Sequence, residues 1–447
     1  MKKDRKTRSD ARQSRKGIFS RTKSIYALSG LLLAFVAFVV YSNTFRSPFQ
    51  FDDFSSIVWN GPIQNISNLR AIWSYSPTRF VTYASFALNY HLHLLDVEGY
   101  HVFNLLIHIG AGLSAWWLLL LIFRTPALRE ASYADDSRVL AFFGALIFLI
   151  HPLQTQAVTY IVQRAASLAT AFYLLSMALY VKGRLLQLEG KTRAAVLLYI
   201  GTLVAGSLAM FSKEIAYTLP AMIVMFELFF FFKERSKSGT ILLAGITTFF
   251  LLVFGLALWL DIIPIPEVSN ISRAEYILTQ LRVLTTYLRL FILPVGQNVD
   301  HDFPISRNVF EHGAVLSLVL LLALVIAAVI LFRRQRAISF SVCWFFLSLL
   351  PESSIIPIPD VIYEHRMYLP MFGCSLFLVT VVYQLLARKS RFFRISVLTI
   401  IASVYAIAAF ERNKVCRDEV TMTTDVIAKS PRKARAYSTR GLVYMNR

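Results

Sequence analysis

Long runs of apolar residues alternate along the chain with short polar segments. The runs Gly239–Leu260, Gly313–Phe332 and Met367–Ala387 contain no charged residue, and a helix of about 20 such residues crosses the hydrocarbon core of a bilayer. We therefore predict an all-α polytopic membrane protein. Its eleven transmembrane helices have the approximate bounds 25–42, 100–123, 138–151, 165–182, 194–212, 215–232, 240–260, 313–332, 337–351, 366–387 and 394–410.

The charges between these runs indicate which side of the membrane each connection faces. The first 24 residues include ten Lys or Arg, so we predict a basic cytoplasmic tail (1–24) followed by an uncleaved anchor. Alternation from that start places every short basic or mixed connection inside, as the positive-inside bias requires. These connections are 124–138, 182–193, 233–238, 333–336 and 388–394.

Composition supports this class of protein and changes the meaning of the charge. Hydrophobic residues make up 56% and charged residues 16% of the 447 residues, and the mean hydropathy is +0.56, which excludes an ordinary soluble protein. The net charge of +20 is concentrated in the predicted cytoplasmic segments, where it would face anionic lipid. We predict contact with membrane lipid and no nucleic-acid partner.

The opposite, outer face receives longer segments rich in acids, His, Arg, Pro and aromatics, which is where loops over a rigid scaffold carry chemistry. The first outer loop covers about 43–99, and the run Tyr276–Leu293 is predicted to be interfacial or re-entrant. The predicted organisation is a transmembrane domain (25–411) and an outer-face tail (412–447). The end of this tail resembles the opening helix of a tetratricopeptide repeat.

An Asp pair in the first outer loop is the strongest single candidate for catalysis. Asp52 and Asp53 lie in the segment FDDFSSI. Adjacent carboxylates repel, which raises one pKa and favours a general base. The structural alternative is a solvated pair that caps a short helix.

A set of cations is predicted on the same face. Arginine binds phosphate oxygens in bidentate fashion and lysine supplies a point charge, so the set points to a phosphate-bearing ligand, although each cation could simply bind lipid headgroups. The predicted phosphate- or lipid-binding residues are Arg79, Arg164, Lys213, Arg282, Arg289 and Arg366.

Other ionisable residues have structural interpretations. His108 is expected to form an interhelical hydrogen bond, and Glu227 could neutralise a nearby cation inside the membrane. The spacing of His91, His93 and His101 is not that of a characteristic metal site. We predict no metal ligand and no firm cofactor; a divalent cation has no support from ligand spacing.

Six segments in the same order resemble a known family. After FDD come RFVTYASFALNYHLHLLDVEGYHVFNLLIH, HPLQTQAVTYIVQRAASLA, SKEIAYTLP, YLRLFILPVGQNVDHDF and EHRMYLPMFG. With the repeat-like tail, this order resembles the transmembrane O-mannosyltransferases that bear tetratricopeptide repeats, within the GT-C glycosyltransferase superfamily, and their bacterial relatives. The likeness covers about residues 45–447.

The resemblance implies a chemistry and a role for each matched residue. The donor would be a sugar, mannose or a similar hexose, on a polyprenyl phosphate. The acceptor would be a protein hydroxyl, and transfer would invert the anomeric centre. Asp52 or Asp53 would be the base, with Asp52 favoured, and Arg164, Lys213 and Arg366 would stabilise the leaving phosphate. The implied orienting or sugar-binding residues are His151, Gln156, Glu214, Asp300, Glu364, His365 and Tyr368.

Two positions depart from the family pattern. Gln156 stands where the family commonly has Glu, and His365 is inserted between Glu364 and Arg366. The second departure leaves open whether His365 or Arg366 faces the phosphate.

Two other functions remain as alternatives. An oligosaccharyltransferase or glycan ligase would use a lipid-diphosphate donor, and a transporter or flippase would hold its substrate at the midplane on broken helices. The predicted location is the inner or plasma membrane, with the endoplasmic reticulum membrane as the alternative. The N-terminus would be cytoplasmic and the site would lie on the outer face.

Overall fold

A computed structural model describes residues 24–232, 237–260, 271–353, 357–358 and 360–445. Helices form the whole regular structure of these residues, and no strand occurs among them, which confirms the all-α membrane fold. The predicted basic tail, apart from residue 24, and most of the connection 233–238 lie outside the described residues.

Each of the eleven predicted spans coincides with a helix, because an uncharged apolar run satisfies its own backbone groups only as a helix in lipid. The helices are α1 (Ser24–Tyr41), α4 (Val97–Ile122), α5 (Ser137–Ile150), α7 (Arg164–Leu188), α8 (Thr192–Met210), α9 (Leu219–Phe230), α10 (Lys237–Trp259), α12 (Ala314–Leu331), α13 (Arg336–Leu349), α14 (Pro370–Leu385) and α15 (Arg391–Asn413).

Seven of the described helices are long and apolar enough to cross a membrane. An eighth span arises if the bent pair Ala134–Ile150 and Pro152–Thr159, whose axes differ by 49°, is counted as one. Helices α9, α13 and α14 have 12, 14 and 16 residues and would span only about 18–24 Å at 1.5 Å per residue. The count of eleven spans therefore stays a prediction.

The centre of the bundle is built around α4 and α7. Helix α7 packs against both α4 and α8, while α5 lies between α4 and α14. Glycine permits two of these close crossings: a Cβ on Gly112 would lie 2.3 Å from the side chain of Leu149, and one on Gly183 would lie 2.6 Å from that of Tyr199.

Two polar groups inside the bundle have the structural roles expected of them. Glu227 accepts a hydrogen bond from Arg184 at 2.6 Å, and both side chains are almost fully buried. His108 lies 2.6 Å from the hydroxyl of Tyr368 and 2.8 Å from the carbonyl of Leu149. Each interaction joins two helices in a region where an unpaired polar group would be costly.

The remaining helices belong to the predicted outer face. They are α2 (Leu69–Tyr75), α3 (Phe80–His93), α6 (Thr155–Thr159), α11 (Arg273–Ile292), α16 (Glu419–Lys429) and α17 (Ala434–Met445). Helix α11 begins at a capping box formed by Ser272 and Glu275 and is not among the candidate spans. Helices α16 and α17 form a hairpin that packs on Val299 through Met422, Val426 and Ala436.

Candidate active site

The two carboxylates of the Asp pair have opposite surroundings. Asp52 is exposed, and its backbone N–H donates to the hydroxyl of Tyr160 at 2.8 Å. Asp53 is fully buried and accepts from the backbone N–H groups of Gln50 at 2.9 Å and Val162 at 2.7 Å. Phe51 before the pair has a φ of 43°, a strained value for a bulky residue. Asp53 thus fixes the loop and Asp52 is presented to solvent.

The environment of Asp53 also changes its acidity. Burial raises the pKa of Asp53 to about 8, against the opposing effects of its two backbone hydrogen bonds and of Arg164; the neighbouring Asp52 raises it further. A buried carboxyl of this kind carries less charge at neutral pH than a free one. The two acids of the pair are therefore chemically distinct, and the exposed one is available to a substrate.

Asp52 lies in a small cleft between the first outer loop, the segment after α6 and the C-terminal hairpin. The cleft has a volume of about 30 Å³ and is lined by Phe51, Asp52, Tyr160, Gln163, Val299, Asp300, Tyr363 and Arg435. This volume is about that of one water molecule, so a substrate would need the walls to separate.

The C-terminal hairpin contributes one wall of this cleft through ion pairs. Arg435 contacts Asp300 at 3.0 Å and donates to the hydroxyl of Tyr363 at 3.2 Å. Lys433 contacts the other oxygen of Asp300 at 3.2 Å. Asp300, a predicted orienting residue, is almost fully buried. Its negative charge is balanced by these two cations of the tail.

Behind the cleft, Glu364 holds the loop that contains residues 297–301. Its carboxylate accepts from Gln297 at 2.7 Å and from the backbone of Asn298 at 2.6 Å, and it lies 3.1 Å from the imidazole of His301. Burial opposes ionisation, but the interactions with His301, Arg412 and Asn298 prevail and lower the pKa of Glu364. Glu364 is therefore an ionised hydrogen-bond acceptor that positions this loop.

The contacts of Gln156 explain why an amide stands at this position. Its Nε2 donates to the carbonyl of Val299 at 3.1 Å, while its Oε1 accepts from the backbone N–H of His365 at 2.7 Å. A carboxylate only accepts when it is ionised, so a Glu side chain here could not make both bonds.

Three of the predicted cations converge in a second group, which we call the cation cluster: Arg79, Lys213 and Arg366, with the carboxylates Glu214 and Glu352. Arg79 binds Glu214 through two N–H groups, each at 3.0 Å, and Lys213 contacts Glu352 at 2.9 Å. Arg366 donates to the carbonyls of Val361 and Asp360 and interacts electrostatically with Glu352.

His365 links the cation cluster to the Asp52 cleft through the charges of the cluster and the ring of Tyr363. Burial lowers its pKa well below the usual value, and the charges of Lys213, Arg366 and Arg79 lower it further. The imidazole is therefore neutral at pH 7. Its Nδ1 is buried without a hydrogen-bond partner, and its ring stacks on Tyr363, which lines the cleft.

Three other predicted cations have different surroundings. Arg164 is fully buried, donates to Asn104 at 2.6 Å and to the carbonyls of Ser85 and Tyr100, and lies 4.5 Å from the centre of the Phe86 ring. Arg282 donates to the carbonyl of Pro304 and Arg289 to that of Val295. These contacts favour structural roles: Arg164 anchors the first outer loop, and the other two fix the segment after α11.

The last two predicted residues, His151 and Tyr368, lie within the helical bundle. His151 contacts the carbonyl of Phe291 at 2.9 Å and accepts from the backbone of Leu153 at 3.1 Å, and Tyr368 contacts His108. Both are fully buried. They support the segments that carry Gln156 and Arg366 and are separate from the cleft lining.

Sequence reasoning did not select four residues of the site: Tyr160, Glu352, Tyr363 and Arg435. Tyr160, Glu352 and Tyr363 lie in outer segments that were singled out for composition, but nothing in their spacing indicated which side chain points inward. Within the described ranges, no group of three or more His, Cys, Asp or Glu side chains could hold a metal ion; His101, for example, lies 2.9 Å from the carbonyl of Ser47.

Comparison with known proteins confirms the resemblance noted from the sequence. No family model matches the chain, and no solved structure matches it. A protein O-mannosyl-transferase of Caenorhabditis elegans is 26% identical over 441 residues, which cover 92% of this chain and 59% of that protein. One of Drosophila melanogaster is 25% identical over 500 residues, with 93% and 53% covered. The chain thus spans about half the length of these relatives.

A human protein O-mannosyl-transferase is 27% identical over 216 residues, which cover 44% of this chain and 29% of the human protein. The similarity to the two invertebrate proteins covers nearly the whole chain.

Proposed function

We propose that this protein is a GT-C membrane glycosyltransferase that moves mannose or a similar hexose from a polyprenyl phosphate to a hydroxyl of a protein acceptor. The transmembrane domain (25–411) and the tail (412–447) both contribute to the proposed site. Its relatives are named protein O-mannosyl-transferases. The observation that carries the proposal is the exposed Asp52 in a cleft that Tyr363 and His365 link to a partly buried cation cluster.

Asp52 is the general base of the proposed reaction. The acceptor oxygen bonds to the anomeric carbon of the sugar and its proton passes to the Asp52 carboxylate. The bond from the anomeric carbon to the phosphate oxygen breaks, and its electron pair leaves with the lipid phosphate. A positioned base contributes roughly 10²–10⁴-fold to such a step. Asp53 holds the loop in the conformation that presents Asp52.

The cation cluster receives the donor phosphate and stabilises it as it leaves. Arg79, Lys213 and Arg366 carry positive charge, Glu214 and Glu352 carry negative charge, and His365 is neutral. Among these side chains one net positive charge remains. A polyprenyl phosphate sugar is a phosphodiester with one negative charge, so the balance favours this donor over a lipid diphosphate.

Inversion requires the base and the leaving group to lie on opposite sides of the anomeric carbon. The stacked rings of Tyr363 and His365 link the Asp52 cleft to the cation cluster, and a sugar bound beside these rings, with Asp52 on one side and the cluster on the other, would satisfy this requirement. Asp300, Gln156 and Glu364 hold the segments that line this space. Arg164, Arg282 and Arg289 support the scaffold.

The proposed setting is the outer face of the inner or plasma membrane, or the lumenal face of the endoplasmic reticulum membrane, with the N-terminus in the cytoplasm. Purified protein in nanodiscs should transfer mannose from a polyprenyl phosphate mannose to a Ser- or Thr-containing polypeptide. Transfer from a polyprenyl diphosphate sugar alone would instead support the glycan-ligase alternative. A protein that processes neither donor would contradict the proposal.

A further inference from the structure

Glu352 is one of two acids in the cation cluster, whose net positive charge suits an anion. Its Oε1 contacts Lys213 at 2.9 Å, and its Oε2 is buried without a hydrogen-bond partner. The side chain is 12% exposed and that of Lys213 is 7% exposed. A buried carboxylate oxygen without a partner is costly, which points to a function for the charge itself.

The surroundings of Glu352 tie it to the proposed phosphate position. Tyr276 on α11 donates to the Glu352 backbone carbonyl at 2.7 Å and interacts with Arg366. Lys213 is adjacent in sequence to Glu214, which binds Arg79. Glu352 therefore contacts one cation of the cluster and interacts electrostatically with the other two, while one of its carboxylate oxygens has no hydrogen-bond partner.

The charge of the lipid phosphate changes during the proposed reaction. The donor is a phosphodiester with one negative charge. The product is a phosphomonoester, which carries about 1.5 to 2 negative charges at pH 7. The cluster that balances the donor therefore holds an excess of negative charge once the sugar has left, and Glu352 is the carboxylate with a free oxygen there.

We propose that Glu352 sets the charge selectivity of the site: it limits binding of the dianionic lipid phosphate product and so promotes its release, while it leaves the monoanionic donor bound. This inference rests on the proposed function, since that function assigns the cation cluster to the donor phosphate. Glu352 acts as a positioning residue through Lys213 and through its own charge.

The test compares two ligands that differ by one charge. Binding of a polyprenyl phosphate and of its methyl diester is measured on purified protein in nanodiscs, for the wild type and for Glu352→Gln. Coulomb energy scales with the product of the charges, so the fold gain for the monoester should be about the square of the gain for the diester: about tenfold against about threefold. Turnover should show a lower kcat together with a lower KM for the donor.

Two variants separate charge from structure. Glu352→Asp keeps the charge and should retain the wild-type preference between the two ligands, whereas a purely structural role would be disturbed by both substitutions. Glu98→Gln removes a surface carboxylate that pairs with Arg46 and should change neither ligand's affinity. An equal fold change for both ligands in Glu352→Gln, or none, would overturn the inference.

The outcome for the proposed function is read separately. A wild-type protein that binds and discriminates the two ligands as described, yet transfers no sugar, would support the charge role of Glu352 and contradict the transferase proposal. A wild-type protein that transfers sugar, with no charge-dependent change in Glu352→Gln, would do the reverse. Absence of binding for both ligands would contradict both.

Discussion

The ring of Tyr363 stacks on the imidazole of His365, with ring centroids 5.1 Å apart and planes inclined by 25°. The hydroxyl of Tyr363 also donates to Asp360 and accepts from Arg435. One side chain thereby joins three parts of the molecule: the Asp52 cleft, the cation cluster and the C-terminal hairpin. Substitutions in each part should have distinct effects.

Loss of a cation from the cluster should reduce turnover. We expect Arg366→Ala to lower kcat by about 10²–10³, because the leaving phosphate would lose a preorganised donor. Arg366→Lys should recover only part, since it lacks the planar fork. Steady-state transfer from the lipid-linked donor is the measurement, and full activity in Arg366→Ala would remove this residue from the phosphate site.

Arg164 provides a contrast with Arg366. Because Arg164 is fully buried and bonded to Asn104, Ser85 and Tyr100, Arg164→Ala should leave buried acceptors unpaired and lower stability by several kcal/mol. Thermal unfolding in detergent should show a lower Tm. A stable Arg164→Ala protein with a selective loss of turnover would return Arg164 to the phosphate-binding role that the sequence suggested.

Asp53 should control stability in a pH-dependent way. Its pKa is raised to about 8 in the folded protein, so between about pH 4 and pH 8 the folded state binds more protons than the unfolded state. The free energy of unfolding from this group therefore falls as the pH rises through that window. The stability of the wild type relative to Asp53→Asn should decline from pH 5 to pH 8, which thermal unfolding of both proteins can measure. A constant difference would contradict the raised pKa.

Tyr160 should act on Asp52 through a single hydrogen bond. Tyr160→Phe removes the hydroxyl that accepts from the Asp52 backbone. A hydrogen bond of this kind is worth about 1 kcal/mol, so kcat should fall by about five- to tenfold while the donor KM is unchanged. Tyr75→Phe is a matched control, because its hydroxyl donates to the carbonyl of Ser55 in the same loop, at the longer distance of 3.5 Å. Equal activity in Tyr160→Phe and the wild type would contradict this positioning role.

The side of the membrane that each connection faces can be tested independently of activity. Reporter fusions after Arg336 and after Arg412 should report opposite sides of the membrane, because three predicted spans separate them. Helices α13 and α14 are shorter than usual spans, so this stretch is the most informative one. The same side for both fusions would show that the count fails between α13 and α15.

Hydropathy was sufficient to predict where the helices lie, because the bilayer restricts an apolar run to one backbone structure. Hydropathy did not predict which of these helices are long enough to cross the membrane. The order of motifs placed Asp52, Lys213 and Arg366 on one face, and the structure brings each into the cleft or the cluster. The sequence did not show how the roles divide between Asp52 and Asp53, or between His365 and Arg366.

Spacing alone could not show that Arg164 is enclosed, since its partners come from α3 and α4. Arg435 lies in a tail with a tetratricopeptide-like pattern, and only the folded hairpin brings it to Asp300. The choice of Gln at position 156 also depends on tertiary contacts, with Val299 on one side and His365 on the other. Such contacts join residues more than 100 positions apart.

The most direct test of the account is sugar transfer by Asp52→Asn. This substitution keeps the size of the side chain but removes the basic carboxylate, so the acceptor proton has no base. Purified Asp52→Asn in nanodiscs should fold, bind the polyprenyl phosphate sugar as the wild type does, and transfer sugar at least about 10²-fold more slowly. Wild-type transfer by Asp52→Asn would contradict the assignment of Asp52 as the base and, with it, the proposed mechanism.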